Sequence, residues 1–204
     1  MPTNLLNTGI DDLGNLLPLK AADPHWKLIV APPGVPRRQA EVLSNQRPGL
    51  YWNTGDSQWV GADPKGTAKP GDLYKYQTDF VVNADSDHWL QINGVWCVDN
   101  IGQITIDGAP VPAGSANGEI SLLAPMLYSN FMAPHAFSIS NLQPFSVSHL
   151  KLSPGVHYME VSVWNLGLAG DNPSAFNVSA KVILNTFESW RGQLDGLSRF
   201  WQQA

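Results

Sequence analysis

The chain is short of charge. Only 14% of its 204 residues are Asp, Glu, Lys or Arg, against about a quarter in ordinary soluble domains. Twelve cations against 17 acids leave a net charge of -5, which argues against a nucleic-acid surface built on clustered Lys and Arg. The basic pair Arg37-Arg38 falls in a Pro-rich stretch. There is one cysteine, Cys97, so an internal disulfide framework is excluded. Its place in a strand pattern argues for a buried, inert thiol. No apolar run approaches the roughly 20 residues that span a bilayer, and no membrane partner is expected. The first 17 residues lack the basic start and unbroken apolar core of a signal peptide. Synthesis in the cytosol is the expectation. Motifs of catalysis are missing as well: G-x-S-x-G, H-E-x-x-H, C-x-x-C and G-x-G-x-x-G do not occur. The reading is of a non-enzyme with no catalytic residues and no organic cofactor.

What the chain has is turns and apolar bulk. Eighteen Gly and 16 Pro suit short strands joined by tight turns. Eight Trp, 7 Phe and 5 Tyr supply surface to bury and exclude disorder. Residues 79–108 organise the rest, with three apolar runs separated by Asn, Asp and Gly. Leu90, Ile92, Gly94, Trp96 and Val98 share one parity, as a half-buried strand requires. Ile104 and Ile106 continue the core, and so do His157, Met159, Val161 and Val163 on one face of a later strand. The fold class predicted is all-β, an antiparallel sandwich over residues 1–184, followed by a C-terminal amphipathic helix over 185–204.

Two segments break the strand pattern. Residues 109–136 form a long stretch that ends apolar, as LLAPMLYSNFMAPHAF. Loops of such length in compact domains are usually functional or cover something, so Leu122, Met126, Leu127 and Phe131 are candidate contacts with a partner or another subunit, the alternative being a lid over the domain's own sandwich end. At the C-terminus Asn185 reads as a helix cap with Glu188 three residues on. Phe187, Trp190, Leu194, Leu197 and Trp201 then recur at steps of 3, 4, 3 and 4, a single apolar seam. Gly192 and Gly196 weaken that helix by about 1 kcal/mol each, so it has to dock, and docking within a homo-oligomer is the favoured reading.

The motifs NTGxDDxGNxL, DPHW, SxWVG, WxxDNxGxIxIDG, PFSV and LxPGxHxMxVxVxN follow one another in order. Together they resemble a galactose-binding-domain-like β-sandwich, a family of secreted bacterial and phage structural proteins. The resemblance spans residues 4–183 and implies a jelly roll of two antiparallel sheets without catalytic machinery. Trp52, Trp59, Trp96, Asp99, Asn100 and Gly155 stand where the pattern places them. His157 departs from it, standing where Asn is usual, and so do the long loop and the C-terminal seam.

The resemblance and the residues give two functional expectations. One is a structural protein of a phage particle (capsid decoration, spike or tail component), residing in the virion beside other virion proteins. The alternative is a carbohydrate-binding module recognising a cell-surface glycan. Candidate ligand residues are Trp89, Trp52, Asp99 and Asn100. Trp59 and Trp96 fall in strand patterns and are expected in the core. The clustered acids Asp11, Asp12 and Asp23 with Asn15 are candidates for a structural calcium ion. The histidines at 25, 88, 135, 149 and 157 lack metal-ligand spacing, although His149 and His157 could face each other across the turn at 153–155.

Overall fold

Alternation builds the sheet. In β4 (Leu73–Val82), Tyr74, Tyr76, Thr78, Phe80 and Val82 are buried while the residues between them face outward. β6 (Ile101–Ile106) buries Ile104 and Ile106, and β9 (Gly155–Trp164) buries His157, Met159, Val161 and Val163. A computed structural model describes residues 6–69, 71–82, 88–111, 130–131, 133–140, 153–165 and 173–186. The remaining strands among them are β1 (Ala22–Val30), β2 (Gln39–Val42), β3 (Val60–Gly61), β5 (His88–Asp99), β7 (Ala109–Pro110), β8 (His135–Ser140) and β10 (Ala175–Thr186). No helix is present among the described residues.

The strands form one antiparallel, ten-stranded sheet in the order β7-β6-β9-β4-β1-β2-β3-β10-β5-β8. The sheet curls on itself. Phe176 of β10 meets Tyr76 of β4 at 4.6 Å and Trp26 of β1 edge-on at 5.1 Å between ring centroids. The all-β, antiparallel expectation holds, with a difference in connectivity. The resemblance implies two antiparallel sheets, whereas short β2 and β3 carry the hydrogen bonding continuously from one half to the other. Residues 31–48 read as loop because Pro, Arg and Gln dominate them, yet Ala40 and Val42 face the core.

Of the expected core residues Ile92, Val98, Ile104, Ile106, Met159, Val161 and Val163 are at most 1% exposed. The Leu90 side chain lies outside the described residues. A second, smaller cluster packs Leu43, Tyr51, Trp59, Cys97 and Ala175, with Trp52 and Phe131 against it. Cys97 and Ala175 alternate along their strands with Trp96 and Phe176 of the main core, so the two clusters lie on opposite faces. Burial pushes the Cys97 thiol up to about 12, which makes it inert as expected.

At the C-terminus the sequence and the structure part. β10 pairs with β5 in unbroken register through Asn185↔Trp89 and Thr186↔His88. Asn185 therefore continues a strand instead of capping a helix. The helix expected beyond it lies outside the described residues.

One side chain fastens the N-terminal segment. Asp23, wholly buried, accepts the Gly9 N–H at 2.6 Å on Oδ2 and the His25 and Trp26 N–H groups at 2.8 and 3.1 Å on Oδ1. Gly9 has φ +70°, and a Cβ there would stand 2.6 Å from Cβ of Gln58. No other residue fits the turn without a shift. The adjoining Thr8 exchanges hydrogen bonds with Val178 and Gln58, and the Asn7 amide oxygen accepts the Ala180 N–H.

Two substitutions test this architecture. Ile92→Asp buries an unpaired carboxylate and should cost several kcal/mol, enough to unfold a marginal domain. An unchanged thermal midpoint would mean that β5 is turned the other way. Asp23→Ala leaves three buried N–H groups without an acceptor and should destabilise by about 3 kcal/mol or more. Denaturant titration measures this, and a loss under about 1 kcal/mol would show the staple to be dispensable.

Candidate functional site

β5 delivers Asp99 to one end of the sheet, where the strand stops against residues 46–53. The carboxylate is 3% exposed. The Tyr51 hydroxyl donates to its Oδ2 and the Asn100 amide donates to its Oδ1. The Arg47 guanidinium lies over the Tyr51 ring at 5.2 Å. Burial pushes Asp99 up to about 6, against the lowering effect of Tyr51, Arg47 and Asn100. The Tyr51 phenol is raised in turn by its own burial and by the adjacent carboxylate.

The segment after Tyr51 closes the site. The Trp52 N–H donates to the Phe131 carbonyl at 2.7 Å, and the Trp59 indole N–H donates to the Trp52 carbonyl at 2.8 Å. Phe131 packs tilted against Tyr51, with ring centroids 5.4 Å apart, and the Asn130 amide donates to the Asn100 carbonyl at 2.8 Å. Three of the four candidate ligand residues, Trp52, Asp99 and Asn100, thus share one neighbourhood. Trp89 does not. It lies ten residues up β5, about 30 Å away at strand rise, and its side chain lies outside the described residues. Sequence reasoning missed Tyr51 and Arg47, which complete the network. Tyr51 sits beside Trp52 in a Trp- and Gly-rich stretch that gives no hint which ring turns inward.

Phe131, a candidate partner contact, is half buried against the small cluster of its own domain. Leu122, Met126 and Leu127 lie outside the described residues, as do Phe187, Trp190, Leu194, Leu197 and Trp201. Of the four calcium candidates, Asp11 and Asn15 meet, and each of the three acids has a partner within the fold. Asp11 closes its own turn, accepting the Leu13 and Asn15 N–H groups at 2.9 and 2.8 Å and the Asn15 amide. The Asn15 bonds hold its carboxyl below the usual range. Asp12 pairs loosely with His25 at 3.6 Å, and Asp23 is the buried staple. Among the described residues no three acidic, His or Cys side chains gather as for a metal. His157 meets Asp107 Oδ2 and the Ser153 carbonyl, each at 2.6 Å, and stacks on Phe80. His149, its expected neighbour, lies outside the described residues.

A cleft of about 530 Å³ opens elsewhere, between the Pro32-Pro33-Gly34-Val35 loop and residues 63–74. Its polar lining is Asp63, Thr67, Lys69, Asp72 and Tyr74. Each carboxylate is bonded through one oxygen. Asp63 Oδ1 accepts the Lys65 and Thr67 N–H groups at 2.7 and 3.2 Å. Asp72 Oδ2 accepts the Lys69 N–H at 3.1 Å and the Tyr74 hydroxyl at 3.2 Å. Burial and then Asp72 raise the Tyr74 phenol.

Comparison with known proteins adds little. No family model matches the chain, and no curated protein matches it. Among solved structures it is similar to a β-glucosidase from Kluyveromyces marxianus in complex with glucose, at 13% identity and a TM-score of 0.31. That likeness covers 81% of this chain and 19% of the enzyme's, and at such a score it carries no argument.

The raised Asp99 gives a pH dependence. Its folded value near 6 stands above the ordinary 3.8, so the folded state holds the proton more tightly than the unfolded one. The stabilisation is complete below 3.8 and is lost as pH rises through 6. One group can account for up to about 3 kcal/mol of that loss. Asp99→Asn should remove this part of the slope. A wild-type minus variant stability difference that stays flat from about pH 4 to pH 7 would acquit Asp99.

Proposed function

We propose that the chain is a non-enzymatic structural protein of a phage particle, built on a galactose-binding-like sandwich and assembling with itself and with other virion proteins. The observation behind this reading is how the fold disposes of its buried acids and its buried histidine. Asp23 is bonded by three backbone N–H groups, Asp99 by Tyr51 and Asn100, and His157 by Asp107 and a carbonyl. Glu160 on the outer face of β9 is ringed by Lys75, Gln77 and Thr105. Groups tied in this way rigidify a scaffold. A general acid or nucleophile needs a face open to substrate. The resemblance to a family with phage structural members supplies the setting.

A second reading, a carbohydrate-binding module, draws on Trp52, which is partly exposed at the sheet end beside the Asp99 network. Mass spectrometry of purified particles from the source lysate separates the two. The chain should appear there in stoichiometric amount. Its absence from particles, with saturable glycan-array binding that Trp52→Ala abolishes, would reverse the order of the readings.

A further inference from the structure

The cleft between the Pro-rich loop and residues 63–74 is electrically lopsided. Two carboxylates line it against one ammonium, that of Lys69. Asp63 Oδ2 and Asp72 Oδ1 carry no hydrogen bond among the described residues, although the opposite oxygen of each is occupied. An acidic pair alone would say nothing about an occupant. The rim of the same cleft says more.

The loop runs Pro32-Pro33-Gly34-Val35-Pro36-Arg37, with three prolines whose φ is fixed. A turn inside it and one bond at its base hold it. The Val35 N–H donates to the Pro32 carbonyl at 3.2 Å, and the Leu28 N–H donates to the Arg38 carbonyl at 2.8 Å. Arg38 is engaged by Glu41 at 2.8 Å. Arg37 is exposed and makes no ion pair or hydrogen bond among the described residues. It stands two residues from Val35 in the cleft wall, yet reaches neither carboxylate of its own chain. A stiff loop thus presents an unpaired guanidinium beside an acidic cleft that it does not fill. A patch carrying adjacent unsatisfied charges of opposite sign is self-complementary under a two-fold rotation.

We propose that the cleft receives Arg37 of a second copy of this chain, reciprocally, in a two-fold dimer. The apolar stem of Arg37 lies along the Pro32, Pro33 and Val35 wall. Its planar head donates to the open oxygens of Asp63 and Asp72. Because the loop is already ordered, little freedom is lost on docking. Small basic ligands such as a free guanidinium compound would compete for the same oxygens. The proposal rests on the self-assembly part of the functional reading and names the contact.

Sedimentation equilibrium of the full chain at physiological salt tests it with three variants. Arg37→Glu removes the donor. Asp72→Asn keeps an acceptor for Lys69 and Tyr74 and replaces the open oxygen by an amide. Lys181→Glu makes the same charge change as Arg37→Glu at an exposed position of β10. The wild type should dimerise, Arg37→Glu and Asp72→Asn should each weaken the dimer about tenfold or more, and Lys181→Glu should leave it near wild type. If the wild-type chain is monomeric at every concentration, the proposal fails along with the self-assembly reading. If it dimerises but Arg37→Glu does not weaken it, or Lys181→Glu weakens it equally, only the proposed contact fails.

Discussion

The architecture of the N-terminal third depends on one buried carboxylate. Asp23 is fully enclosed, and burial alone raises its pKa. Removing a carboxylate from water costs several kcal/mol unless hydrogen bonds replace the lost hydration. Three backbone N–H groups do so here. One of them belongs to Gly9, so the chain around Gly9 has to come within reach of Asp23, and only glycine accommodates the resulting turn beside Gln58. Once Gly9 is fixed, Thr8 and Asn7 fall against β10 and complete its hydrogen bonding where two-residue β3 stops. The start of β1, the N-terminal segment and one side of β10 are thereby tied to a single side chain.

This accounts for what the family resemblance does and does not convey. Of its motif residues, Asn7, Thr8, Gly9 and Asp23 form the staple, Trp26, Trp59 and Trp96 are fully buried, and Asp99 and Asn100 lie within the Tyr51 network. Each has a packing or hydrogen-bonding task inside the domain. A pattern composed of such residues specifies a scaffold, and the scaffold leaves its ligand unspecified. Trp52, which is partly exposed, is the exception at that end of the sheet.

How much of this could be read from the sequence depends on strand length. β4, β5, β6 and β9 are long enough for period-2 alternation to show, and their inward residues are the ones the pattern selects. β2 and β3, with 4 and 2 residues, are too short to show a period. They are strands because Ala22 and Phe176 on either side supply partners. Asn185 shows the opposite failure. Its cap signature is locally sound, but pairing with β5 over the whole of β10 outweighs a local preference worth about 1 kcal/mol. The acids show a third limit of the sequence. Asp11, Asp12 and Asp23 look alike in sequence, yet one closes a turn, one pairs loosely with His25 and one is the staple. Only the tertiary fold separates those roles.

The low charge of the chain sharpens the meaning of the charges that remain unpaired. A domain with net charge -5 repels its own copies at long range, but at physiological salt that repulsion is screened beyond about 8 Å. Short-range pairs between desolvated groups are screened far less. Association of such a chain is therefore decided by local complementarity, because the global field contributes little at contact. Most of the buried ionisable groups are already matched within the fold, and at the surface Arg38 is matched by Glu41 and Lys75 by Glu160. At the rim and floor of the Pro-loop cleft, Arg37 and the open oxygens of Asp63 and Asp72 have no partner among the described residues. Three prolines fix φ in that loop, which limits how far its backbone can adjust toward those oxygens.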